Sequence, residues 1–108
     1  MENINREQQL SIICDSLTGK KHDSQKPRWS LLPEKTIGQI IEVLEHGANK
    51  YDVDNWKRVS DQRVRYYNAL MRHIDAWWNG ERLDKESGKS HLAHAACCVL
   101  FLMWEESK

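Results

Sequence analysis

The sequence predicts an all-α fold, a compact bundle of about four helices. Three observations carry that expectation. Apolar residues recur at helical spacing in each periodic segment. No segment sustains the period-two alternation of a strand, and β-branched residues are few. Start and stop signals bracket the stripes, Ser60-Asp61 before one of them and Asn79-Gly80 after it.

Leu10, Ile13 and Leu17 give residues 1–20 the weak signature of an N-terminal extension containing a short helix, ended by Gly19. Residues 20–33 read as an extended basic segment with Lys20, Lys21, Lys26 and Arg28, punctuated by Pro27 and Pro33. Pro33 suits the approach to the next helix, whose stripe is Ile37, Ile40, Ile41, Leu44 and Ala48, with Gln39, Glu42 and Glu45 facing away. Residues 50–60 are a loop. A long helix follows through Trp78, with Val64, Tyr67, Met71, Ile74 and Trp78 on one stripe and Tyr66, Leu70 and Trp77 beside it. Its wide apolar arc predicts a central position. A polar loop over 81–88 leads to a last helix over about 89–106, nearly continuous in apolar residues from Ala95 to Trp104. Residues 21–108 thus form one helical domain, and a bundle this small is expected to complete its apolar surface as a homo-oligomer, a dimer or tetramer.

The bulk properties exclude several classes. With 16 basic and 16 acidic residues in 108, the chain lacks the positive field that stable nucleic-acid binding requires. No apolar run is long enough to span a membrane, and the N-terminus lacks the apolar segment of a signal peptide. Cys14, Cys97 and Cys98 are odd in number and two are adjacent, which suits reduced thiols in a cytoplasmic setting.

The residues that carry chemistry concentrate late in the chain. Glu81, Asp84 and Glu86 crowd one loop, and His91 and His94 follow at i and i+3 on the first turn of the last helix. That spacing puts both imidazoles on one helix face, and imidazole with carboxylate is a donor set for a divalent transition metal. His94 interrupts an apolar helix, where a polar ring needs a partner. His73 supplies a third imidazole if the two long helices pack antiparallel, or is a core histidine bonded to a carbonyl. Arg72 beside it either grips a phosphate or pairs with Asp75. The loop carries Lys50, Tyr51, Asn55 and Trp56, a cation with an amide and two aromatics able to take a phosphate and a nucleobase. Alternatively Trp56 plugs the bundle end and Asn55 caps a turn. Glu42 and Glu45 form a further possible cation pair on an acidic helix face.

The order Leu32-Pro33, Gly47-Ala48-Asn49-Lys50-Tyr51, Asn55-Trp56, Ala69-Leu70-Met71-Arg72-His73, Gly80-Glu81, Asp84, Glu86-Ser87-Gly88 and His91-Leu92-Ala93-His94-Ala95 resembles the phage dATP/dGTP diphosphohydrolases. These are a branch of the MazG-like all-alpha nucleotide pyrophosphohydrolases. The resemblance runs from about residue 21 to 105. It implies an oligomeric MazG-like bundle that depends on Mg²⁺ or Mn²⁺ and cleaves a (d)NTP, such as dATP or dGTP, to the monophosphate and pyrophosphate. The wider superfamily holds its metals with a Glu-x-x-Glu helix and a Glu-x-x-Asp helix. Glu42-x-x-Glu45 and Glu81-x-x-Asp84 match those words, while His91-x-x-His94 takes the second pair's place in helix order.

The expected site therefore has His91, His94, Asp84, His73 and Glu81 at the metal. Lys50, Arg72 and Lys26 take the phosphates, Asn55, Trp56 and Tyr51 take the base, and Glu81 or Glu86 acts as proton acceptor. Two other readings share these residues: a non-catalytic protein that sequesters a nucleotide, and a metal-dependent phosphatase or phosphodiesterase. The first has no need of the histidine and carboxylate cluster. The second would release a different product.

Overall fold

The computed structural model describes residues 19–108, so the short helix expected within 1–18 lies outside the described residues. The chain divides into two units, Met1–Pro33 and Glu34–Lys108, each taken here by itself. In the first, the Lys26 amide closes a turn onto the Asp23 carbonyl at 3.0 Å, and a single 3-10 turn spans Trp29–Leu31. Pro27 and Pro33 bracket that turn, as expected of residues that supply no amide donor.

The second unit contains three α-helices: α1 (Glu34–Lys50), α2 (Gln62–Trp78) and α3 (His91–Glu106). No strand occurs among the described residues, only an isolated antiparallel bridge between Leu83 and Ser90. The all-α expectation holds. Helix α1 starts directly after Pro33, with Glu34 in its first turn and Lys50 in its last, both signs favourable to the helix dipole. Val43 is buried against Ala93 and Cys97, with Ile40, Leu44 and Phe101 packed around them. The Cys97 thiol donates to the Ile40 carbonyl at 3.6 Å, tying α3 to α1.

The central helix is α3, not α2. It packs extensively against both of the others, and Ala93, Ala95, Cys97 and Cys98 are its buried apolar positions. Small side chains let two neighbours approach one helix closely, which the bulky arc of α2 does not allow. The α2 stripe Val64, Tyr67, Met71 and Trp78 lies exposed, with only Ile74 half-buried.

Two connections position the site. Residues 51–61 include a 3-10 turn, Asn55–Arg58, flanked by Asp54 and Asp61 in the left-handed region at φ 62° and 52°. Aspartate is among the few side chains that tolerate this conformation. The Gln62 amide donates to the carbonyls of Trp56 and Lys57 at 3.2 and 2.7 Å, and the Tyr66 hydroxyl donates to the Trp56 carbonyl at 2.7 Å. The first turn of α2 therefore fastens the loop. The second connection, residues 79–90, doubles back on itself. Asp84 N–H donates to the Lys89 carbonyl at 2.8 Å and His91 N–H to the Arg82 carbonyl at 2.9 Å. Gly80 and Gly88 take φ of 98° and 72° at its bends, where a β-carbon would be strained. Ser90 then caps α3 by accepting from the Ala93 amide at 3.2 Å.

Candidate functional site

Antiparallel packing of α2 on α3 brings His73 from one helix against His91 and His94 from the other. The 79–90 connection folds Glu81, Asp84 and Ser87 over the same spot. His73 Nδ1 and His91 Nδ1 are 2.8 Å apart, and His91 Nε2 is 2.9 Å from Glu81 Oε2. A carboxylate only accepts, so His91 carries its proton on Nε2 and gives it to Glu81. Its Nδ1 is then bare and accepts from the His73 Nδ1–H. Glu81 thus fixes the His91 tautomer with its lone pair on Nδ1, turned toward His73.

His73, Asp84 and His91 each offer a ligand atom, and these atoms all lie within 4.8 Å of one another. The three donors fit a divalent ion on two further grounds. Burial, with help from His94 and His91, lowers the His73 pKa to about 4, so its ring is neutral and able to donate electrons. Burial pushes Asp84 upward, but the Ser87 backbone and side-chain hydrogen bonds with the nearby imidazoles outweigh it and hold the carboxyl below its ordinary range. Both groups therefore rest in the protonation state that coordination requires. Two imidazoles and one carboxylate suit Mn²⁺, Fe²⁺, Co²⁺ or Zn²⁺ better than an all-oxygen preference would.

His94 sits beside this group with its own partners. Its Nε2 lies 2.7 Å from Ser87 Oγ and 3.8 Å from Asp84 Oδ2, and its ring stacks on His73 at 4.5 Å and 9°. The i, i+3 spacing placed His91 and His94 on one face, yet their coordinating nitrogens turn to different partners. Burial lowers the His94 pKa, opposed by Asp84 and aided by His46. Ser87 was not foreseen as a site residue. Its amide donates to Asp84 Oδ2 at 2.9 Å and its hydroxyl accepts from the Lys89 amide at 3.1 Å, so it braces both Asp84 and His94. The Ser87-Gly88 turn pair was its only signal in the sequence.

Of these side chains, His73, Asp84, Ser87 and His94 line a cleft of about 970 Å³ between α1, α2 and α3, while His91 and Glu81 are not among its lining residues. Lys50, Tyr51, Asn55, Trp56, Arg72, Asp84, Glu86 and His94 all line it. Arg72 is exposed on the wall and forms no ion pair among the described residues. Arg65, two turns back on the same face of α2, lines the cleft as well and was likewise not foreseen. Lys50 forms an ion pair with Glu86, which lowers the Glu86 pKa and raises that of Lys50. Lys50 also lies 5.1 Å from the centre of the Tyr51 ring, which is itself largely exposed.

Trp56 is already engaged. It stacks on Phe101 at 4.5 Å and meets Trp104 edge-on at 5.1 Å, while the Lys57 ammonium lies 5.3 Å from its ring centre. Asn55 opens the 3-10 turn, its amide donating to the Asp52 carbonyl at 3.1 Å. Glu42 and Glu45 are not presented as a pair: Glu42 meets Lys89 at 3.8 Å, and Glu45 lines the cleft. Lys26 belongs to the Met1–Pro33 unit. Cys97 and Cys98 are buried free thiols, pushed by burial to about 12 and about 11, which disfavours the nucleophilic thiolate at neutral pH. No helix among the described residues is long and apolar enough to cross a membrane.

A sequence profile described as dATP/dGTP diphosphohydrolase, N-terminal, matches residues 16–108. A curated protein of Salmonella phage PMBT28, named dATP/dGTP diphosphohydrolase, is 32% identical over 88 residues, covering 82% of this chain and 30% of its own length. The chain thus spans about 30% of that relative. No solved structure matches the chain.

Proposed function

Because the chain belongs to the dATP/dGTP diphosphohydrolase N-terminal family, we propose that its cleft binds a purine (d)NTP and hydrolyses it to the monophosphate and pyrophosphate with a divalent ion. The observation that carries this reading is the His73, Asp84 and His91 donor group, two of whose members line a cleft that also presents Arg72, which forms no ion pair among the described residues. A ring nitrogen from each of His73 and His91 and an Asp84 oxygen would hold an ion such as Mn²⁺, with Glu81 keeping the His91 ring in its coordinating tautomer. The ion, when bound, neutralises phosphate charge and makes an attacking water more acidic.

The remaining steps belong to the side chains. Arg72 grips a non-bridging phosphate oxygen in its planar fork, and Lys50 takes another as a point charge. A phosphate arriving at Lys50 competes with Glu86 for that ammonium. Glu86 is thereby released on the cleft rim, free to accept the proton of the attacking water as the anhydride bond breaks. Tyr51 offers an exposed ring for stacking, and Asn55 offers an amide that can read a base edge. Trp56 supports this wall through Phe101 and Trp104.

The test is a panel of dATP, dGTP, dCTP and TTP with Mg²⁺ or Mn²⁺, with products separated by anion-exchange chromatography. The expected products are a purine monophosphate and pyrophosphate, absent without the ion. Release of orthophosphate would instead assign a phosphatase. Tight binding without turnover would assign a sequestering protein.

A further inference from the structure

Helix α2 presents two arginines to the cleft, Arg65 and Arg72, seven positions and about 10.5 Å apart along its axis. Ala69 lies between them on the same face, and its small side chain leaves that stretch of wall open. The two arginines stand in different surroundings. Arg72 adjoins His73, on which Asp84 and His94 converge. Arg65 belongs to the opening turns of α2, whose Gln62 and Tyr66 side chains hold the Trp56 carbonyl. The cleft there is largely aromatic and apolar, lined by Trp56, Val59, Tyr66 and Phe101, the last two with ring centres 4.9 Å apart.

Arg65 is exposed and forms no ion pair among the described residues. The acids of the adjoining loop are engaged elsewhere, Asp52 with Arg58 at 3.4 Å and Asp54 with Lys57 at 3.6 Å. A guanidinium carries five donors and no acceptor, so it takes a ligand through acceptor atoms. Phosphate oxygens are acceptors, but the metal donors, Arg72 and the Lys50–Glu86 pair lie toward His73 and Asp84, two turns of α2 away. An aromatic wall with one planar set of donors suits a nucleobase instead. The acceptor pair that matches such a fork is N7 with O6 of guanine. Adenine offers N7 beside an amine, and a pyrimidine has no N7. Asn55 lines the same cleft, and its amide can complete the adenine edge by accepting from that amine.

From this placement we infer that Arg65 is a specificity-determining residue that donates to N7 of a purine base. The inference rests on the reading of the cleft as a nucleotide site, and it assigns the purine preference to one side chain and one atom. A nucleotide anchored at Arg72 by its phosphates lays its base along α2 toward Arg65. Guanine engages both arms of the fork and adenine one, while pyrimidines leave the guanidinium unmatched.

Replacing N7 by carbon tests the assigned atom directly. The full chain is titrated calorimetrically with dGMP and 7-deaza-dGMP, and turnover of dGTP and 7-deaza-dGTP is measured with Mn²⁺. The wild type should favour the natural nucleotide by about tenfold or more in both measurements. Arg65→Lys keeps the charge but loses the planar fork, and should bring that ratio close to one with far-UV circular dichroism unchanged. A merely structural role for Arg65 would weaken both nucleotides alike and leave the ratio intact, which would overturn the inference. Equal treatment of dGMP and 7-deaza-dGMP by the wild type would overturn it as well. Binding that depends on N7 without hydrolysis would refute the proposed reaction and support this inference. Hydrolysis indifferent to N7 would do the reverse, and binding of neither nucleotide would overturn both.

Discussion

At the site, the i, i+3 spacing of His91 and His94 was legible in the sequence, but the roles of their rings were not. Spacing fixes the helix face from which a side chain leaves; the hydrogen bonds it meets fix which nitrogen points where. Glu81 and Ser87 supply those bonds, and both lie in a connection that has no period to read. If Glu81 acts by holding the His91 tautomer, Glu81→Gln should weaken divalent-ion affinity by about 10–100-fold while leaving helical content unchanged, as measured by calorimetric titration. His73 makes a second prediction. Its folded pKa of about 4 lies below the ordinary value of 6.5, so between these limits the unfolded chain binds more protons than the folded one. Stability of the metal-free chain should therefore be fully present above about pH 6.5 and decline as pH falls toward 4. His94, shifted the same way, adds to the decline. Urea midpoints in the presence of a chelator should follow this course, and His73→Gln should flatten it.

The helices themselves were readable because 3.6-residue periodicity is a property of one segment. Their bounds at Trp78 and near His91 follow from Asn79-Gly80 and Ser90. Periodicity does not say what covers a stripe. The α2 stripe reads alike whatever covers it, and this is why α2 was expected to be central although its stripe lies exposed. The small residues of α3 were the better indicator of the central helix. Two elements near the site can be tested by stability. Ser90→Ala removes the acceptor for the Ala93 amide and should cost about 1 kcal/mol in chemical unfolding. Trp56→Ala should cost more, about 2 kcal/mol or above, since it strips the ring from Phe101 and Trp104 and leaves a cavity at the loop's anchor. A variant with unchanged stability but uniformly weaker nucleotide binding would assign Trp56 to the base instead.

For the whole molecule, the two sides of α2 differ in character. One side contributes His73 and Arg72 to the cleft, and the other carries the exposed apolar stripe. The all-α class was visible in the sequence; of the expected site residues Lys50, Tyr51, Asn55, Trp56, Arg72, His73, Asp84, Glu86 and His94 line one cavity, while His91 and Glu81 do not. The division of labour among them depends on tertiary contacts that join residues 36 positions apart, as in the Lys50–Glu86 pair. The claim on which the functional account rests is that His73, Asp84 and His91 together hold a divalent ion. Isothermal titration of Mn²⁺ into the metal-free chain tests it most directly. The account predicts one ion per protomer, with binding lost in both His91→Ala and Asp84→Asn while circular dichroism stays unchanged. Undiminished binding in these folded variants, or no binding by the wild type, would contradict it.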